Sequence, residues 1–199
     1  MTLVSESQYF SPSIFFTTSI NLSHIEIDIY EPYQKMSFRN RCVIAGAEGP
    51  LLLTVPLVGG RTQKKLVREV LIDYKKDWQD NHWKTLVSCY NRSPWFEHFR
   101  DALEQLYQTR FQFLYEWNMA CLKWTMGSLG LKASIGYTGD YRKDYDPNQY
   151  LDLRGQLMPA TIGEQFRNPV RYRQVFEERT GFIDHLSVLD LLFCHGRIY

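Results

Sequence analysis

The sequence has little of what usually announces a chemistry. Its four cysteines, Cys42, Cys89, Cys121 and Cys194, lie far apart. No Cys-x-x-Cys pair and no dense framework is present, which excludes a disulfide scaffold and points to free thiols in a reducing compartment. No run of about twenty apolar residues is available to span a bilayer. The opening MTLVSESQYF has no basic start followed by an apolar stretch, so it does not read as a secretory signal. A cytoplasmic location without membrane insertion is expected. Neither sign of charge is in excess: the net charge of +1 gives no general attraction to nucleic acid or to an anionic membrane. Internal repeats and low-complexity tracts are absent.

The familiar motifs are missing too. Gly59 to Lys65 has glycines and lysines without the Gly-x-x-x-x-Gly-Lys-Ser/Thr spacing that lets backbone amides cradle phosphates. Met126 to Gly130 lacks the Gly-x-Ser-x-Gly frame of a nucleophile elbow. Asp144-Tyr-Asp146-Pro-Asn148 copies the opening of a calcium loop, yet Gln149 and Gly155 stand where Gly and a bidentate Glu are required. His-Glu-x-x-His is absent, and the five histidines show no ligand spacing. No metal and no cofactor is expected.

What is present is an ordinary globular composition, 44% hydrophobic and 23% charged, over 199 residues, which fits one domain spanning 1–199. The segment His24 to Tyr30 alternates Ile25, Ile27 and Ile29 with polar neighbours, as a strand with one buried face does. Arg41 to Ala45 and Leu51 to Leu57 flank a Gly-Ala-Glu-Gly-Pro turn and predict a hairpin. Leu66 to Asp73 and Arg171 to Glu177 have strand composition. A helix is predicted from about Asp80 to Tyr90, and an apolar stripe from Phe96 to Trp124, broken only at Arg110, predicts more helix. Tyr137 to Asp152 reads as an ordered loop region. Ser187 followed by Asp190 has the spacing of a capping box for a short helix over Val188 to Phe193. The fold class expected is α+β, a mostly antiparallel sheet from the N-terminal half covered by helices from residues 80 to 130.

Several local strings are unusual: Tyr9-Phe10-Ser11-Pro12, Ser37-Phe38-Arg39-Asn40-Arg41-Cys42, Leu53-Thr54-Val55-Pro56, Asp77-Trp78-Gln79-Asp80-Asn81-His82-Trp83 and Ser88-Cys89-Tyr90. Near the C-terminus come Arg173-Gln174-Val175-Phe176 and Leu186-Ser187-Val188-Leu189-Asp190-Leu191-Leu192-Phe193. Together they resemble the WbqC-like protein family, whose name comes from a gene of O-antigen clusters. Ser11 and Cys194 depart from the family pattern, which commonly has Pro and Asn there. The resemblance implies a bacterial surface-polysaccharide setting and a sugar or nucleotide-sugar as small-molecule partner.

Within those strings, His82 is the candidate general base, since an imidazole with pKa about 6.5 exchanges a proton near neutrality; a helix-surface histidine is the competing explanation. Arg39, Asn40 and Arg41 combine guanidinium forks with an amide, suited to phosphate or carboxylate oxygens, or to a salt-bridged strand start. Tyr9 and Gln174 can bind sugar hydroxyls, and Tyr137, Tyr141, Tyr145 and Tyr150 can line a cleft against sugar rings. From Arg61 to Lys76 six basic residues outnumber Glu69 and Asp73, as a solvated edge or as a site for a phosphate-bearing molecule. Cys42 is expected to be a buried thiol and Asp190 a helix cap. Two functions stand: acyl or aminoacyl transfer to an amino sugar, or non-catalytic binding of a nucleotide-sugar.

Overall fold

The structure, a computed structural model, describes residues 1–198. Its centre is a four-stranded sheet built from β1 (Thr2–Glu6), β2 (His24–Asp28), β5 (Ser134–Tyr137) and β6 (Tyr150–Asp152), in the order β5-β2-β1-β6. All three pairings are parallel, with Leu3 opposite both Ile25 and Leu151. A separate antiparallel hairpin, β3 (Arg41–Gly46) and β4 (Gly49–Thr54), carries the turn read from the sequence.

The expected mostly antiparallel sheet is therefore corrected: the fold is α+β with a mainly parallel sheet. Alternation along His24 to Asp28 specifies which face is buried, and it is silent on the direction of the neighbouring strand. Direction comes from the connections. β1 reaches β2 through α1 (Ser13–Ser19), a crossover that returns the chain to the same end of the sheet. β1 is buried almost throughout, as a central parallel strand must be, so it lacks the alternation that marks a half-exposed strand. β5 and β6 are too short to carry a periodic signal, and β6 falls inside the segment expected to be loop. Two further strand expectations are corrected. Leu66 to Asp73 forms a 3-10 turn at Val67–Glu69 with isolated bridges on either side, and Arg171 to Glu177 is irregular until α6 (Glu177–Thr180).

Adjacent strands β2 and β5 are separated in sequence by the hairpin and by α2 (Trp78–Tyr90), α3 (Phe96–Gln108) and α4 (Leu114–Ser128). The stripe predicted through residues 96 to 124 is divided between α3 and α4, with the interruption around Arg110 as the corner. Among the described residues, no helix is long and apolar enough to cross a membrane. The inserted helices roof the segment that follows β1, residues 7–13, which is buried from end to end. At its centre Phe10 sits at φ 40°, a left-handed conformation uncommon outside glycine, which recurs where structure is held for a purpose. The Ser187 hydroxyl donates to the Phe10 carbonyl and helps to hold it.

After the short α5 (Ile162–Gln165), the chain ends in α7 (Val188–His195). Ser187 caps it by accepting from the Leu189 N–H. Asp190 turns inward instead, accepting hydrogen bonds from the Tyr90 and Tyr172 hydroxyls at 2.5 and 2.7 Å. Gly196 closes α7 at φ 78°, and a Cβ built there would lie 2.5 Å from the Trp95 ring. Gly196→Ala is expected to lower stability by about 1–3 kcal/mol. A chemical-denaturation midpoint equal to wild type would refute this.

Candidate functional site

Open sheets of this kind bind ligands outside the carboxyl ends of their strands, where the strand order reverses direction. Here the chain steps from β1 to β2 to β5 on one side and then returns to lay β6 on the other side of β1. The carboxyl ends of β1 and β6 flank that reversal. Three strands end in acids there: Glu6 on β1, Asp28 on β2 and Asp152 on β6.

Around these ends the structure assembles a charged site. Arg39, 1% exposed, forks onto the Glu31 carboxylate with its Nε at 2.8 Å and one Nη at 2.7 Å. Arg154 donates to Asp28 at 2.7 Å and to Asp152 at 2.7 Å, and its guanidinium lies over the Tyr145 ring. Asp28 also accepts from the Tyr30 and Glu31 N–H groups. Glu6 accepts from the Gln8 side chain and from the Gly155 N–H, which approaches because Gly155 tolerates φ 68°. An open cleft of about 480 Å³ lies over this cluster, lined by Glu31, Tyr33, Arg39, Tyr141, Lys143 and Arg154 among others.

Two features set the cluster apart. Burial pushes the Glu31 carboxyl up to about 7, a rise that the charge and hydrogen bonds of Arg39 only partly offset. Second, several buried polar atoms have no partner here: Nη1 of Arg39, Oε1 of Gln8 and Oδ1 of Asn118. Leaving a buried donor or acceptor unmet costs about 1–3 kcal/mol, so orphan groups gathered at one place point to a ligand or an ordered water.

The six residues expected from the sequence are distributed rather than gathered. Tyr9 and His82 meet, the Tyr9 hydroxyl lying 3.0 Å from His82 Nδ1, with the Tyr107 hydroxyl on the other side of Tyr9. Burial lowers the His82 pKa to about 4, an interaction with the Thr54 backbone opposing the fall. His82 lines a second cleft of about 450 Å³ with Lys75, Lys76, Trp78 and Asn81, so the end of the basic segment lies beside it. Arg39 belongs to the carboxyl-edge cleft. Asn40 is spent on the scaffold, accepting from the Tyr33 hydroxyl and donating to the Val55 carbonyl. Arg41 opens β3, with Arg39 in the turn before it, so the two do not alternate along one strand. Gln174 is paired with the Ile183 backbone through both amide atoms. Among the described residues no hydrogen bond joins Gln174 to the other five.

Of the four tyrosines expected to face a sugar, Tyr141 lines the carboxyl-edge cleft, while Tyr145 and Tyr150 pack against each other. All four cysteines are free, and burial raises the thiol pKa of Cys42 and Cys121, which disfavours a nucleophilic thiolate. Among the described residues no group of three or more His, Cys, Asp or Glu is placed to hold a metal ion.

The family model of the WbqC-like protein family matches residues 8–160. That range takes in Tyr9, the Arg39–Arg41 string, His82 and most of the carboxyl-edge cluster. The strings around Gln174 and Leu186 to Phe193 lie beyond it. No curated protein and no solved structure matches the chain.

Proposed function

The chain belongs to the WbqC-like protein family, and on that premise we propose that it acts on a phosphate-bearing sugar precursor of bacterial surface polysaccharide, held in the carboxyl-edge cleft. The observation that carries this reading is Arg39 Nη1, a buried cationic donor without a partner in a residue that lines that cleft with Lys143 and Arg154. Such donors suit phosphoryl oxygens. Tyr141, exposed on the wall of the cleft, offers apolar surface to a sugar.

The reaction proposed is acyl or aminoacyl transfer to the amine of an amino sugar. The proton acceptor in this reading is Glu31 rather than His82. A carboxyl that titrates near 7 is matched to neutral pH, whereas His82, its pKa lowered by burial, holds its proton poorly and has Nδ1 engaged with Tyr9. The amine gives its proton to Glu31 and attacks the carbonyl carbon of an activated acyl donor such as a thioester, whose leaving group departs with the bonding pair. A second reading, binding of a nucleotide-sugar without turnover, is favoured by one observation: Arg39 clasps both Glu31 oxygens.

Calorimetric titration with nucleotide-sugars tests the site. Binding is expected, weakened about 5- to 20-fold by Lys143→Ala and unaffected by the paired change Lys75→Ala with Lys76→Ala. Loss of binding in the lysine pair, with Lys143→Ala behaving as wild type, would move the ligand to the His82 cleft and defeat the reading. Mass spectrometry of amino-sugar phosphates incubated with acyl thioesters separates turnover from binding alone.

A further inference from the structure

Behind Glu6 lies a small recess of about 10 Å³, whose polar wall is made by Glu6, Ser7, Gln8, Ser11 and Asn118. It is far too small for a sugar ring and has room for one water-sized group. Gln8 and Asn118 are 5% and 2% exposed, and each has a side-chain oxygen without a partner.

The hydrogen-bond network fixes which amide atom is free. Asn118 Nδ2 donates to the Arg39 carbonyl at 2.8 Å and to Ser7 Oγ at 2.9 Å, and a carbonyl can only accept. Gln8 Nε2 donates to a Glu6 carboxylate oxygen at 2.9 Å. Turning either amide over would set oxygen against oxygen, so both free atoms are acceptors. The recess therefore presents two unmet amide oxygens beside a carboxylate, and its occupant has to donate.

We infer that this recess seats one primary ammonium group, whose three N–H donors match Gln8 Oε1, Asn118 Oδ1 and the Glu6 carboxylate. A water molecule could serve both amide oxygens, but it brings no charge to Glu6, a carboxylate 1% exposed that has no ion-pair partner among the described residues, Arg39 being paired with Glu31 and Arg154 with Asp28 and Asp152. Glu6 is shared with the carboxyl-edge site, since its other oxygen accepts from Gly155 N–H on the wall of the large cleft. The Arg39 carbonyl ties Asn118 to the same site. This rests on the sugar-phosphate reading but not on acyl transfer at that nitrogen, since an ammonium held by three acceptors has no lone pair with which to attack: the ammonium is that of an amino-sugar ligand, and the recess distinguishes amino sugars from their hydroxyl counterparts.

The test uses pairs of sugar 1-phosphates, each pair differing only by an amine or a hydroxyl at C2, C3 or C4, titrated calorimetrically at neutral pH. In at least one pair the amine twin is expected to bind 10-fold or more tightly, with the ratio falling towards one in Gln8→Met and in Asn118→Leu. Equal affinities within every pair, or a ratio kept in both variants, would overturn the inference and leave the sugar-phosphate reading standing. A parallel arm needs no sugar: ammonium chloride is expected to raise the melting temperature of the wild-type chain above its value in tetramethylammonium chloride at equal ionic strength. If ammonium stabilises while no sugar phosphate binds, the recess holds as an ammonium site and the sugar-phosphate reading falls. If ammonium gives no shift and the twins bind alike, the recess holds water.

Discussion

Glu31→Leu is expected to cost the fold about 3–5 kcal/mol at pH 5, because it leaves Arg39 buried without its carboxyl partner, and less as the pH rises through 7, where ionising the buried carboxyl already destabilises the wild type. For a chain of this size that is a fall in melting temperature of roughly 6–20 °C. A guanidinium cannot shed its charge in this range, so the penalty has no outlet. Arg39→Met is the unequal partner. The Glu31 it strands is already pushed up to about 7 by burial and escapes the penalty by taking a proton. Its cost should approach that of Glu31→Leu at pH 8 and shrink towards pH 5. The double variant, with apolar side chains in both places, should recover much of the loss. Thermal melts of the three variants at pH 5, 6.5 and 8 check this. Equal costs at all pH values for Arg39→Met would mean that Glu31 stays ionised and that the pair is held by more than its two members.

The second large effect is on the pH dependence of stability. His82 titrates at about 4 in the folded chain, through burial, against about 6.5 when unfolded. Between those values the unfolded state holds a proton that the folded state refuses, so the His82 contribution is complete above pH 6.5 and is lost as the pH falls towards 4. The shift corresponds to roughly 3 kcal/mol. Glu31 runs the other way. Its pKa is raised from 4.5 to about 7, so its contribution is complete below pH 4.5 and is lost as the pH rises through 7. The two oppose each other between about pH 4.5 and 6.5. Denaturant titrations of wild type and His82→Gln should differ by an amount that grows by roughly 3 kcal/mol from pH 4 to 6.5. The difference between wild type and Glu31→Gln should shrink as the pH rises from 4.5 to 7. Parallel curves for wild type and His82→Gln would show that the imidazole is free to protonate in the folded chain. That outcome would return it to contention as a base.

Of the carboxyl-edge cleft, Arg39 and Tyr141 were legible in the sequence; Tyr9 and His82, whose strings are as unusual, meet elsewhere. The carboxyl-edge acids were not legible. Glu6 and Asp152 are single acids, and Asp28 sits in an alternating strand where it reads as one more solvent-facing residue. What distinguishes them is that each ends a strand of the parallel sheet, and period-two burial carries no signal of strand direction. Glu31 and Asn118 carry no sequence signal either: one follows a strand and the other lies within a helix, and both acquire meaning from Arg39.

The sequence by itself determined the local elements. The hairpin around Gly46 to Gly49, the helices at Trp78–Tyr90 and Val188–His195, and the burial pattern of His24–Asp28 all follow from turn chemistry, capping and periodicity within a few residues. Tertiary structure alone decided the parallel pairing of β1 with β2 and β6, since period-two burial is the same for either direction and the choice is made by crossovers spanning tens of residues. It also decided which of the recognised residues share a site. Arg39 joins Glu31 eight positions away, while Gln174 is absorbed by Ile183. Buried charge is stable only where partners converge from distant segments, and that convergence is a property of the packed chain rather than of any window of its sequence.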